Sequence, residues 1–417
     1  MKTGQPAVLL VDPVQSGARY KPAARELGFS VVSLYTLDYP DAAAGEAGDD
    51  VSLHGTDPDE VARRIAARGL DIRAVVPAME AGVHLSDVIA DRLELPGNEH
   101  SLAWARRNKA AMRERAAAAG VRVPEFRVVH RRQDIGRAVE ATGFPAIVKP
   151  TMGACSQGVV VLSDAGDLGV LDDLVTHDAF GAPVTEWLVE RYVRGTEYAL
   201  NFYSADGEHR LVDIWEYRQP DGRDYDFPVW DTLQLDDTHP RFERLLRFGR
   251  HALDAFGIRR GPSHTEVKCN DEEGVYLIEL GARTPGGPAT EMWGRHSDVI
   301  RPYHDSIECY LGRRPALMDE PLGFRARFGS VAIRNDEAPG TLKAVHGVAE
   351  LAGLPGIDRV MVECAPGDRL PLTRDSLHIP VSVFVSGPDE GAVLSTLAAV
   401  RSLVTLDIEP DRAAARS

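Results

Sequence analysis

Apolar positions along the 417-residue chain fall in short blocks whose spacing changes character twice. In the first hundred residues, compact apolar runs alternate with stretches of helical period. Ala7 to Val11, Ser30 to Leu34 and Ala74 to Pro77 read as buried strands. Lys21 to Leu27, Glu60 to Ala67 and Leu85 to Leu93 read as the helices that separate them. Uniformly apolar strands joined by helices predict a parallel sheet covered on both faces. Ser101 to Ala119, rich in Ala and Arg and closed by Gly120, predicts one long connecting helix.

From Val121 the pattern turns to strands separated by glycine-bearing loops: Ala146 to Lys149, Val159 to Leu162, Trp187 to Val193 and Tyr198 to Phe202, with a helix from Arg241 to Phe256. Thr265 to Cys269 and Val275 to Leu280 flank Asn270 to Gly274 as a β-hairpin. After a predicted helix, Asp298 to Leu311, Pro315 and Pro321 mark a boundary. Strands Arg327 to Ile333, Arg359 to Cys364 and Ile379 to Val385 then lead to a helix, Glu390 to Val400. The pattern thus runs from a parallel α/β region through a change at Val121 to a third, α+β region after Leu311, and the resemblance described below sets the divisions at 1–103, 104–311 and 312–417. Asp41 to Asp50 reads as a polar loop.

Composition is that of a globular chain, with 44% hydrophobic and 26% charged residues. A net charge of −16 argues against a nucleic-acid surface. The apolar run at Ala7 to Val11 is too short for a signal-peptide core or a membrane span, so the expected location is the cytoplasm, with no membrane partner. Cys155, Cys269, Cys309 and Cys364 lie too far apart for C-x-x-C chemistry. Of 47 basic residues only six are lysine: Lys2, Lys21, Lys109, Lys149, Lys268 and Lys343. In a chain that otherwise uses arginine, each lysine is a candidate for a position that needs a compact ammonium.

Several motifs are absent. Gly153 and Gly158 have the spacing of a P-loop, but Val159 and Val160 stand where Lys and Ser or Thr are required. There is no H-E-x-x-H, no G-x-S-x-G and no G-x-G-x-x-G after a strand. The hairpin carries the strongest signal. If its turn is closed by Asp271 and Gly274, Glu266 falls directly opposite Glu279. Like charges so placed repel, unless they splay into water or a cation lies between them. Lys268 shares the Glu266 face by strand alternation and is one source of compensation. Arg283 and the turn Thr284-Pro285-Gly286-Gly287 follow, putting a guanidinium beside two acids, a combination suited to Mg²⁺ and phosphate oxygens. Upstream, the strand Ala146 to Lys149 runs into Thr151-Met152-Gly153-Ala154-Cys155-Ser156-Gln157-Gly158, a small-residue loop able to bring backbone N–H groups to a phosphate. Glu190 and Glu197 lie on and after the next strand.

In this order and spacing the set resembles the ATP-grasp superfamily, and within it the carboxylate-amine ligases that join amino acids. The resemblance covers about residues 104–311. It implies an ATP-grasp fold preceded by the parallel α/β domain and followed by the α+β region. It implies that Lys109 and Lys149 serve the phosphates and that Gly153, Ser156 and Gly158 lie in the loop covering them. Glu190 matches the adenine contact, Arg191 and Val193 the backbone at the adenine edge, and Glu197 the ribose acid. Glu266 and Glu279 match the magnesium carboxylates, and Arg283 the phosphate-facing arginine. Many family members have Asn two residues after the second carboxylate, where this chain has Gly281. The implied cofactors are ATP and Mg²⁺, and the implied partners are small-molecule amino acids or amines, with a homodimer compatible. Candidate substrate residues are Glu80, Trp230, His264, Gly286 and Gly287. A carboxylase or formyl-phosphate ligase of the same superfamily, or a non-catalytic ATP-binding module, shares the nucleotide residues and stands as the alternative.

Overall fold

A computed structural model describes residues 5–37, 45–219 and 231–411. The chain forms two compact units, each gathered from three stretches. Unit 1 holds Met1–Pro124, Ala199–Ile214 and Asp237–Gly323, and unit 2 holds Glu125–Tyr198, Trp215–Asp236 and Phe324–Ser417. No helix among the described residues is long and apolar enough to cross a membrane.

Unit 1 opens with a parallel sheet made of β1 (Pro6–Val11), β2 (Ser30–Tyr35), β3 (Val51–His54) and β4 (Asp71–Pro77), in the order β3-β2-β1-β4. Ala7, Leu9 and Val11 pack on one side of it with Ile65 and Ile89. Val8 and Leu10 pack on the other with Tyr20, Ile307 and Tyr310. Both faces are covered, which is why the sequence shows an unbroken apolar run instead of alternation. Strand β3 escaped the sequence pattern because its four residues are only half apolar.

The expected long helix from Ser101 to Ala119 is not one element. Two short 3₁₀ turns, His100–Leu102 and Trp104–Arg106, precede a helix at Lys109–Ala118. Two local forces break it. Fully buried Arg106 is tied to Asp87 at 2.7 Å and to the carbonyls of Glu99 and Phe256, which fixes the chain in a non-helical path. Asn108 then caps the true start by accepting from the Ala111 N–H at 3.0 Å. Lys109 is thereby placed in the first turn.

The rest of unit 1 is an antiparallel sheet in which Gly274–Gly281 pairs with Gly261–Asn270, followed by Thr196–Ala205 and Glu208–Arg218, the latter two contributing their unit 1 residues. The amphipathic helix Phe242–Ala255 precedes the hairpin. The helix expected from Asp298 begins at Pro302, where proline suits the first helical position, and ends at Tyr310.

In unit 2, β5 (Phe126–Val129), β6 (Ala146–Pro150), β7 (Val160–Leu162) and β8 (Trp187–Arg191) form an antiparallel sheet of order β5-β8-β6-β7. Its core joins Val148 and Val189 to Ile135 and Val139 of the helix Ile135–Thr142. Strand β5 and that helix were not legible in the sequence pattern. Arg327–Ile333 and Val381–Gly387 pair antiparallel and carry the helix Glu390–Leu403 on one face. A small sheet made of Gly340–His346, Arg369–Leu370 and Thr405–Pro410 completes the unit.

Asp305, in the last helix of unit 1, is 4% exposed. Burial pushes its carboxyl up to about 7, against the opposing pull of the Arg301 N–H that it accepts at 2.7 Å. The native state then binds the proton more tightly than the unfolded chain, so the stabilisation is present at acidic pH and is lost as pH rises from about 4 through about 7. Asp305→Asn keeps the acceptor without the charge. Its melting temperature should exceed that of the wild type by a margin that grows between pH 5 and 8, and a margin independent of pH would contradict the assignment.

Candidate active site

Unit 1 brings together most of the acids and bases that the sequence singled out. The hairpin closes one residue earlier than expected, with Asn270 opposite Gly274, yet Glu266 still pairs with Glu279. A bulge reconciles the two. Between these positions the register shifts, and Ile278 is left as the extra residue. The Ile278 carbonyl accepts from Arg113 Nη2 at 2.8 Å, so the helix Lys109–Ala118 pins the irregularity. That helix also delivers Lys109, whose Nζ lies 2.9 Å from Glu279 Oε1. A cation does therefore compensate the acid pair, and at Glu279 it is Lys109.

Arg283 follows the hairpin. Its Nε donates to Glu80 Oε2 at 2.8 Å and its Nη1 to the Thr284 carbonyl at 2.8 Å. Glu80 stands just after β4 at 5% exposure. Gly281 has a steric role here, since a Cβ on it would come within 2.9 Å of Glu80 Oε2. The missing side chain makes room for a carboxylate from elsewhere in the unit. His264, on the same strand face as Glu266, has Nε2 at 3.5 Å from Glu266 Oε1. Gly286 and Gly287 lie in the turn before the helix Ala289–His296.

Unit 2 holds the other group. Lys149 on β6 and Glu190 on β8 form an ion pair at 2.5 Å, with the residues 5% and 1% exposed. Two charges so far from water are retained only when paired, because each alone carries a large desolvation cost. Arg191 and Tyr192 donate their backbone N–H groups to Glu125 and Pro145, which fixes the chain just past Glu190. Val193 is buried, and Glu197 lies on the following strand. The glycine loop leaves β6 with Gly153, Cys155, Ser156 and Gly158 all at positive φ. Gly158 is required twice over, by its φ of +72° and because a Cβ would approach Val175 Cγ2 to 2.5 Å. Trp230 lies outside the described residues.

Sequence reading missed two features. Ser376 donates its N–H and hydroxyl to the Cys155 carbonyl at 3.1 and 3.3 Å, a tether on the glycine loop from a residue over 200 positions away. Asn201, Asp213 and Trp293 form a buried polar cluster with His264. Its only sequence signal is a polar residue inside each of two apolar strand runs. Among the described residues no three His, Cys, Asp or Glu side chains are grouped as a metal site. Glu266 and Glu279 still suit Mg²⁺, which needs few protein carboxylates and takes its remaining ligands from phosphate oxygens and water.

Residues 142–291 match the ATP-grasp domain family and residues 336–409 match the L-amino acid ligase C-terminal domain 2 family. Dapdiamide A synthase of Enterobacter agglomerans is 25% identical, the match covering 97% of this chain and 96% of that protein. The L-arginine-specific L-amino acid ligase of Bacillus subtilis is 24% identical over 76% of this chain and 75% of its own. The crystal structure of L-amino acid ligase from Bacillus licheniformis superposes with a TM-score of 0.74 at 19% identity, covering 98% of this chain and 100% of that one, and so shares its fold.

The buried pair in unit 2 makes a direct test. Lys149→Met removes the cation from a nearly inaccessible carboxylate and should destabilise the protein by roughly 3–5 kcal/mol in chemical denaturation. Lys149→Met combined with Glu190→Leu should recover most of that loss. A single variant as stable as the wild type would show that the pair is not desolvated.

Proposed function

We propose that this chain, which carries an ATP-grasp domain and the C-terminal domain of L-amino acid ligases, is an ATP-dependent ligase that joins an amino-acid carboxylate to an amine, the α-amino group of a second amino acid. The observation that carries the reading is the pair Glu266 and Glu279, opposed across one hairpin within the stretch that matches the ATP-grasp domain, with Lys109 on one of them. The names of the relatives, amino-acid ligases and a synthase of a dapdiamide, support the amide-forming chemistry.

In this reading the chain is organised as 1–103, 104–311 and 312–417. Glu190 takes the adenine amino group, the backbone at Arg191 and Val193 the adenine edge, and Glu197 the ribose. Lys149 and the loop carrying Gly153, Ser156 and Gly158 serve the phosphates. Glu266 and Glu279 would hold Mg²⁺, which supplies charge neutralisation to the triphosphate when bound. A carboxylate oxygen of the first substrate attacks the γ-phosphorus and displaces ADP, giving an acyl phosphate. Arg283, oriented by Glu80, stabilises the charge on the transferring group, where a fixed guanidinium is worth more than solvent. The amine nitrogen then attacks the carbonyl carbon, phosphate departs with the bond to oxygen, and an amide remains. His264, Trp230, Gly286 and Gly287 contribute to substrate recognition. The protein acts in the cytoplasm, with the homodimer as its assembly.

Incubation with Mg-ATP and pairs of L-amino acids should yield ADP, phosphate and a dipeptide mass. AMP as the nucleotide product would refute the mechanism, and ADP without a new amide would turn the assignment to a carboxylase or formyl-phosphate ligase. Glu266→Ala and Glu279→Gln should each abolish turnover while the protein stays folded by circular dichroism, because the first removes one charge of a repelling pair and the second keeps an acceptor for Lys109. Gly281→Ala sets a Cβ 2.9 Å from Glu80 Oε2, so the carboxylate must shift against Arg283, and it should lower kcat by up to about tenfold with little change in melting temperature.

A further inference from the structure

The glycine loop of unit 2 is held from outside by a residue that the proposed chemistry does not use. Ser376 opens the short 3₁₀ turn Ser376–His378, which Asp375 caps by accepting from the His378 N–H at 3.1 Å. The first N–H of a helical turn finds no acceptor inside it. Here it donates to the Cys155 carbonyl at 3.1 Å, and the Ser376 hydroxyl donates to the same oxygen at 3.3 Å. The turn is anchored in its own right. Buried Thr373 donates its N–H to the Asn335 carbonyl at 2.8 Å, while its hydroxyl accepts from the Asn335 N–H at 3.0 Å and donates to the His378 carbonyl at 3.2 Å. Asn335, also buried, donates its side-chain amide to the Ala338 and Pro371 carbonyls, both at 2.9 Å. Buried polar groups so well satisfied make a stiff support, and Ser376 stands at its edge.

A trans peptide points its C=O and its N–H in opposite directions. Among the described residues the cis bond is Phe144-Pro145, so Cys155-Ser156 is trans, and a carbonyl fixed toward Ser376 fixes the Ser156 N–H away from it. The neighbouring donors are already committed. The Gln157 N–H goes to the Ala154 carbonyl and the Val159 N–H to the Ser156 carbonyl, each at 3.2 Å, whereas the described residues offer the Ser156 N–H no acceptor. Cys155 and Ser156 stand at φ +62° and +59°, a region that side-chain-bearing residues keep only when their surroundings hold them there. If the peptide turned over, its carbonyl would face where its N–H had faced.

We propose that Ser376 is a positioning residue for the nucleotide: by holding the Cys155 carbonyl it presents the Ser156 N–H to a phosphate group of ATP and keeps the carbonyl from facing that phosphate. A phosphate oxygen is attracted by a backbone N–H and repelled by a carbonyl oxygen, so the orientation of this one peptide sets the sign of its contribution. The tether rests on hydrogen-bond geometry within unit 2. The choice of ATP as the ligand rests on the reading of the glycine loop proposed above.

Ser376→Pro removes both donors and leaves the turn intact, since proline suits the first helical position and Asp375 before it is already extended, with φ −154° and ψ 170°. Ser376→Ala removes the hydroxyl alone, and Ser376→Thr keeps both donors. The experiment compares amide hydrogen exchange of residues 153–159 in the nucleotide-free, full-length protein with calorimetric binding of ATP, ADP and adenosine in the presence of Mg²⁺. In Ser376→Pro the loop should exchange faster, and ATP and ADP should bind about tenfold more weakly, against about threefold for Ser376→Ala and wild-type affinity for Ser376→Thr. Adenosine has no phosphate, and its affinity should stay within about a factor of two across the four proteins. Equal weakening of adenosine and ATP would reduce Ser376 to a structural role and overturn the proposal, and so would unchanged ATP affinity in Ser376→Pro. Unchanged exchange in that variant would overturn the tether itself. A wild type that binds no nucleotide would overturn the reading of the loop and the phosphate role with it, while the exchange data decide the tether in either case.

Discussion

Two carboxylates held opposite each other on an antiparallel ladder repel along their whole length, and unit 1 is built so that they stay there. Pairing Glu266 with Glu279 demands a bulge at Ile278, because the hairpin turn sets the ladder one residue out of step. The bulge needs a partner for its displaced carbonyl, and Arg113 supplies it. The acid pair needs a cation, and Lys109, one turn earlier on the same helix, supplies that. A single ten-residue helix thus answers both consequences of one electrostatic constraint. Its start is fixed in turn by the Asn108 cap and the buried Arg106, so the charge balance of the hairpin reaches back through the connecting segment to Asp87.

A similar economy governs Arg283. Its guanidinium has an anchor of its own. Glu80 provides the anchor from the loop after β4, in the space left by the side chain that Gly281 lacks. Position 281 thus carries no side chain, and a carboxylate from another part of unit 1 stands against the place a Cβ would take. In unit 2 the problem is solved differently. Lys149 and Glu190 lie diagonally across the paired strands β6 and β8, so the strand register brings the two side chains together. Such an arrangement tolerates loss of both charges better than loss of one.

Much of this was legible from the chain itself. The parallel sheet showed in apolar runs that fill both of its faces. The carboxylate pair showed in the hairpin count, and the rare lysines singled out Lys109 and Lys149, each of which the fold buries against an acid. These signals are local or periodic, and local sterics and two-residue alternation carry them. Strands β3 and β5 were not legible because short edge segments with mixed composition have no period to detect. The split of the 101–119 segment was hidden for another reason: the residue that breaks it, Arg106, acts through partners as distant as Phe256.

What the sequence determined by itself was which residue types are available and at what spacing along each element, since backbone geometry converts spacing directly into facing. It placed Glu266 across from Glu279 even though the assumed turn was one residue off, because the bulge cancelled the error. Only the tertiary structure decided which cation compensates the acids, which carboxylate stands against position 281, and how Ser376 reaches the glycine loop. Each of those depends on a hydrogen bond or close approach between residues tens to hundreds of positions apart, and no periodicity encodes such a meeting. The buried cluster of Trp293, Asp213, Asn201 and His264 draws on four side chains at once, so it exists only when all four are folded together.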